Sequence, residues 1–150
     1  MPTLRKSYIV DFYSPAILGD NERNVSVSDL LVQSADTAAI REHNNGQYVF
    51  QIKNVVRNEN VIHGVFVKFR ENDLPHIGNR TSLEEKDIEL LEGEGLIEKN
   101  YFLYDLQLDV ITFQVNSAAC NIYQVAQLFT ALLGETVSFN PILTLDAAER

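Results

Sequence analysis

The 150-residue chain has no tryptophan, one methionine and a single cysteine, Cys120. A lone cysteine excludes a disulfide framework within the chain and any cysteine-rich zinc module. No run approaches the ~18 apolar residues of a membrane-spanning helix. The opening residues MPTLRKSYIV lack the apolar core and small-residue cleavage site of a secretory signal. A cytoplasmic protein with no membrane contact is therefore expected. Basic residues are also scarce. Twelve Lys and Arg face twenty-one Asp and Glu, a net charge of −9. A polyanion is repelled by such a chain as a whole.

What is present suits one globular domain. Hydrophobic residues make up 45% and charged residues 22% of the chain, which is ordinary for a soluble fold. The length is close to the usual size of a single domain. The first strand is expected over 7–13, ended by Pro15, with Tyr8, Val10 and Phe12 on its core face. A short helix follows, capped by Ser26 or Ser28, with an apolar stripe of Val27, Leu30, Leu31 and Ala35. Residues 41–46 (REHNNG) break it, and Asn45-Gly46 is a turn signal. Strands over 47–56 and 61–70 form a hairpin, with Phe50, Ile52, Val65 and Val67 inward.

A loop runs from Glu71 to about Leu83, and 87–92 reads as a strand or, alternatively, follows a helical turn opened by Thr81 or Ser82. Strands over 96–104 and 108–115 come next, with Ile111 and Phe113 inward. A long helix is expected from Asn116 or Ser117 to Gly134, burying Ile122, Val125 and Phe129. A last strand over 136–143 carries Pro141, which places it near an edge. The fold class is α+β, a mostly antiparallel β-meander sheet with two helices packed on one face. The first and last strands are the expected sheet edges, and unpaired edges invite a partner. The end of the chain, 145–150, resembles the first turn of a further helix, so this domain is expected to be the amino-terminal part of a longer protein.

No pattern names a reaction, and no catalytic, cofactor or metal residue is assigned. Cys120 would gain reactivity at a helix start, but a small buried core residue is the plainer reading. His43, His63 and His76 show no metal-ligand spacing. Gly93-Glu94-Gly95 has the glycines of a phosphate loop, but Glu92 and Glu94 would repel phosphate. The segment 84–98 holds seven acids and one base. Glu84, Glu85, Asp87, Glu89, Glu92 and Glu94 form either a solvated face, an acidic surface for a basic partner, or a divalent-metal site. Lys68, Arg70, His76 and Arg80 bracket the long loop and are candidate contacts for a partner or nucleic acid. The plainer reading is that they pair with the acids.

Several short segments carry a family resemblance: the SVSDLL helix start, VFVKFR, LPHIG and EGEGLIEKNYFLYD. In their order they resemble the amino-terminal halves of prophage and genomic-island proteins of phage–bacterium conflict, a loose group that includes the RexA exclusion protein of phage lambda. The resemblance implies a two-domain protein that self-associates, acts in defence or exclusion, and has DNA binding among its family traits. The charge of −9 departs from that last trait. DNA contact would then fall to a missing domain or to Lys68, Arg70 and Arg80.

The leading expectation is a non-catalytic interaction or oligomerisation domain of a phage-defence or phage-exclusion protein, with a protein partner or a second copy. The alternatives are a small acidic phage-encoded inhibitor of anti-CRISPR type that mimics nucleic acid, and a metal-dependent nuclease built on the acids of 84–98. The charge balance yields a direct expectation. The isolated domain should bind duplex DNA no tighter than about micromolar at physiological salt, the non-specific range. Fluorescence anisotropy with a labelled duplex measures this, and tighter binding would overturn the whole-chain charge reading.

Overall fold

The computed structural model describes residues 8–143. The expected helical turn at 145–150 and the start of the expected first strand at Ser7 lie outside them. Strands β1 (Val10–Ile17), β2 (Arg41–Asn44), β3 (Val49–Asn58) and β4 (Val61–Arg70) are joined by helix α1 (Val27–Thr37), which lies between β1 and β2. Two short strands, β5 (Ile77–Gly78) and β6 (Glu85–Lys86), precede β7 (Leu96–Asp105) and β8 (Val110–Gln114). Helix α2 (Ile122–Leu133) and β9 (Val137–Pro141) complete the order. Seven strands form one curled antiparallel sheet in the order β2-β3-β4-β7-β8-β1-β9. The α+β class holds, and both helices bury their apolar stripes in one cluster on one face.

Phe66 sits at the centre of that cluster. Its ring stacks on Phe102 at 4.4 Å and meets Phe129 of α2 edge-on at 6.1 Å. Phe50, Ile52, Ile62, Tyr104, Ile111 and Phe113 fill the same face. Gly64 lies under the Phe102 ring, and a Cβ there would meet it at 2.8 Å. Glycine is needed for this close approach.

Both helices begin as their sequences dictate. The Ser26 hydroxyl accepts from the Asp29 N–H at 3.1 Å. Asn121 and Gln124 form a capping box, and Gly134 closes α2 in the left-handed region. α2 therefore starts after Asn121, not at Asn116 or Ser117, because the Asn121 side chain accepts the Gln124 N–H of the first turn. Cys120 consequently precedes the helix instead of lying in its first turns.

Other expectations are corrected. Pro15 does not end β1. The Val115 N–H donates to the Ile9 carbonyl, so odd-numbered residues of β1 point toward β8, whose pairing ends at Tyr13. The missing N–H of Pro15 faces no strand and costs no ladder bond. Residues 41–44 are strand β2, paired with β3 through the turn at Asn45-Gly46. Residues 87–92 are neither strand nor helix, and 81–82 open no helical turn. The loop instead carries the β5–β6 ladder, Ile77 opposite Lys86. β1 is not an edge, since it pairs with β8 over its first half and β9 over its second.

The largest correction concerns faces. Tyr8, Val10 and Phe12 are 58%, 41% and 46% exposed and are not core. Tyr13 and Ile17 pack inward instead. Val65 and Val67 are buried, but register places them with Tyr101 and Lys99 on the face away from the helices. Phe66 and Ile62 take the inward positions. These strands carry apolar residues on both alternating rows, so periodicity did not decide between faces. Phe66→Ala is therefore expected to cost about 3–5 kcal/mol, and Phe12→Ala about 1 kcal/mol or less. Urea unfolding of the two variants compares them. Equal losses would contradict the face assignment.

Candidate functional site

The face of the sheet opposite the helices is apolar. Register aligns Val65 with Tyr101, and His63 with Leu103 and Thr112, while Val10 and Phe12 lie opposite Gln114 and Thr112. A trough of about 550 Å³ opens on this face. Its walls include Tyr8, Val10, Val56, Tyr101 and Leu103, with Asn54, His63, Thr112 and Gln114 as polar points. The bulge between Lys53 and Val56 shapes one wall. Asn54 occupies it with φ 55°, a left-handed backbone that asparagine tolerates better than most residues. Gln114 is held in place, because its Oε1 accepts the Tyr101 N–H at 2.9 Å.

The sheet edges are less open than the sequence suggested. The Leu18 N–H donates to Thr136 and the Ile142 N–H to Phe12. Even-numbered residues of β9 thus point at β1, and odd-numbered ones point outward. Of the outward groups, the Val137 N–H donates to the Thr130 hydroxyl of α2 at 3.0 Å, and Pro141 has no N–H. α2 packs against β9 and also against β2, the other edge. One helix therefore lies beside both edges and caps one outward group of β9, while an open hollow of about 850 Å³ remains between it and His43, Asn44 and Asn45 of β2 and its turn.

The structure separates the four candidate basic contacts. Lys68 Nζ lies 4.2 Å from the centre of the Tyr48 ring, a cation–π contact. It also borders a smaller hollow of about 260 Å³ with Tyr13 and Cys120. The Arg70 guanidinium turns back onto its own loop and donates to the Asn72 and Asp73 carbonyls. Arg80 is exposed at the tip of the β5–β6 loop. His76 meets the acids, with Nε2 3.3 Å from Asp87 and Nδ1 3.7 Å from Glu85. Glu84, Glu85, Asp87, Glu89, Glu92 and Glu94 are all exposed. Among the described residues, no three His, Cys, Asp or Glu side chains converge within metal-binding reach. Among the described residues, no helix is long and apolar enough to cross a membrane.

Cys120 is buried beneath the sheet. Its N–H donates to Asn100 Oδ1 at 2.9 Å, while Asn100 Nδ2 donates to the Gln114 carbonyl. Burial pushes its thiol up to about 12, against a smaller lowering by Lys68. A core residue accounts for these contacts.

Comparison with family models, curated proteins and solved structures finds no match. The apolar open face was missed in the sequence. The signal that could have found it is the second apolar row in strands β1, β4 and β7, here taken to be ordinary sheet alternation.

The raised thiol pKa has a definite sign. An unfolded thiol ionises near 9.0 and the folded one near 12, so the stabilisation from keeping it protonated is complete below the lower value and is lost between the two. Wild-type stability should therefore fall more steeply than that of Cys120→Ala as pH rises through this window. At pH near 8, a disulfide reagent should react with Cys120 only after denaturant is added. Fast labelling of the native protein would contradict the burial.

Proposed function

We propose that this chain is a non-catalytic interaction domain of the phage-exclusion kind its sequence resembles, and that it binds through the open face of its sheet. The observation that carries this reading is the contrast between surfaces. α2 packs against both edge strands, while Tyr101 and Leu103 stand 55% and 49% exposed at the middle of the opposite face. A contiguous exposed apolar patch marks an interaction site more often than a scatter of single residues does. Sheets with one bare apolar face bury it against another layer.

A second reading rests on a separate observation. The six exposed acids of the β5–β6 loop and its continuation suit a basic partner surface, as expected of an acidic inhibitor that imitates nucleic acid. The two readings place contact on different parts of the molecule, so substitution separates them.

Leu103→Asp puts a charge on the open face, and a Glu89→Lys, Glu92→Lys pair reverses charge on the loop. Cells expressing the full reading frame are expected to plate at least one phage from a broad panel at reduced efficiency. Leu103→Asp should restore plating with folding unchanged, and the loop variant should not. Restoration by the loop variant alone would move the function to the acids. Plating equal to that of control cells for every phage would remove the exclusion reading.

A further inference from the structure

We infer that the trough on the open face takes a free fatty acid, with the acyl chain lying along the trough and the carboxylate between Lys53 and Lys99. This rests on the open-face reading above and names the ligand of that face. The trough has a volume of about 550 Å³, within the roughly 300–1,000 Å³ of small-molecule sites. Its walls hold no Asp, Glu, Lys or Arg, and Val10, Val56, Val65, Tyr101 and Leu103 make them apolar. An uncharged ligand body suits such walls, because they offer nothing to offset the desolvation of a charge.

The charge lies at one end. Ile52 is buried on the helix side, so Lys53 projects from the open face, opposite Val65. Lys99 lies opposite Val67 on the same face, one outward position before Tyr101. Two strand spacings and two residues separate the lysines, roughly 12 Å between Cα atoms, so both ammonium groups reach one carboxylate placed between them. Both side chains are half-buried, and neither has an ion-pair partner among the described residues. The acids on the outward rows of the sheet are committed elsewhere. Glu42 accepts the Gln51 side-chain amide at 2.9 Å, and Asp105 accepts the N–H groups of Gln107 and Leu108 in its own turn. An unpaired ammonium group gains a charge-assisted hydrogen bond from an anion brought to it. Asn54, next in the chain to Lys53, lines the trough at the same end and adds an amide donor. The net charge of −9 is screened beyond about 8 Å at physiological salt, so the two lysines set the sign felt at this end.

The length suits an acyl chain. From Val65 the trough crosses β7 and β8 to Val10 of β1. Those three strand spacings make roughly 14 Å, the reach of an extended chain of about ten to twelve carbons at ordinary bond lengths. Its methyl end would lie by Tyr8 and Val10, where the walls are uncharged.

Isothermal titration calorimetry of the full chain with decanoate and dodecanoate, below the concentrations at which they form micelles, tests the assignment. Both should bind, dodecanoate about tenfold more tightly because two more methylenes leave water. Decanol, with the same tail and no charge, should bind more weakly than decanoate by about fivefold or more. The double variant Lys53→Gln, Lys99→Gln should lose that preference for the acid and bind decanol as wild type does. Leu103→Asp should weaken decanoate and decanol alike, with a circular dichroism spectrum like that of wild type. Absence of binding by either acid overturns the inference, and so does a decanoate affinity equal to that of decanol or unchanged in the lysine variant. Cosedimentation with phosphatidylglycerol vesicles that the lysine variant loses would assign the lysines to a membrane surface and overturn the free acid. A chain that binds no decanoate but whose Leu103→Asp variant loses phage exclusion overturns this inference and leaves the interaction reading standing. Decanoate binding as expected, with exclusion intact in Leu103→Asp, keeps the ligand and removes the exclusion role of the face.

Discussion

The packing of Phe66 is the constraint on which the rest of the molecule depends. Its ring lies between Phe102 and Phe129, with Phe113 6.0 Å away. One side chain thereby ties β4 to β7, β8 and α2. Side chains on a strand alternate, so committing Phe66 to the helices commits Ile62 and Gly64 with it and sends His63, Val65 and Val67 to the other face. The ladder passes that choice across the sheet. Phe102 must be inward and Tyr101 outward, Phe113 inward and Thr112 outward. The open apolar face is thus a consequence of the core, since strands apolar on both rows leave one row over.

A buried polar group fixes the junction between the sheet and α2. Asn100 is fully buried on the helix side. It donates to the Gln114 carbonyl and accepts from the Cys120 N–H. Both ends of its amide are used, so the desolvation of a buried polar side chain is offset. The contact holds the segment entering α2 against β7 and β8, and the capping box at Asn121 then starts the helix. From there α2 packs against both β9 and β2. The curled sheet with its helices on one side leaves the opposite face without a covering layer among the described residues.

Much of this was legible residue by residue. The β3–β4 hairpin, β7 and β8 follow from alternating apolar residues and short polar links. The Ser26 cap and the Gly134 stop follow from the chemistry of helix ends. Pro141 marks β9 as an edge strand, and β9 is one. The failures have local causes. REHN at 41–44 has no apolar alternation and is a strand only because β3 offers it a ladder. Asp11 made the Tyr13 row of β1 look like the solvent face, yet Asp11 sits at the exposed strand end and Tyr13 and Ile17 carry the row into the core. Of the candidate site residues, the acids are where their charge predicted, exposed on a loop. Three of the four basic residues meet nearer partners, Tyr48 for Lys68, loop carbonyls for Arg70 and Asp87 for His76, while Arg80 stands exposed at the loop tip.

By itself the sequence determined the types of the longer elements, the α+β class, the Ser26 cap, the Gly134 stop and the acidic charge, because each of these depends on neighbours in the chain or on composition alone. Only the tertiary structure decided which face of each strand meets the helices, where β1 inserts, and which surface remains bare. Those outcomes depend on contacts between residues far apart in sequence, such as Phe66 with Phe129 and Val137 with Thr130 of the covering helix. A strand with two apolar rows fits a core either way round, and it is the rings packed against it from elsewhere in the chain that choose.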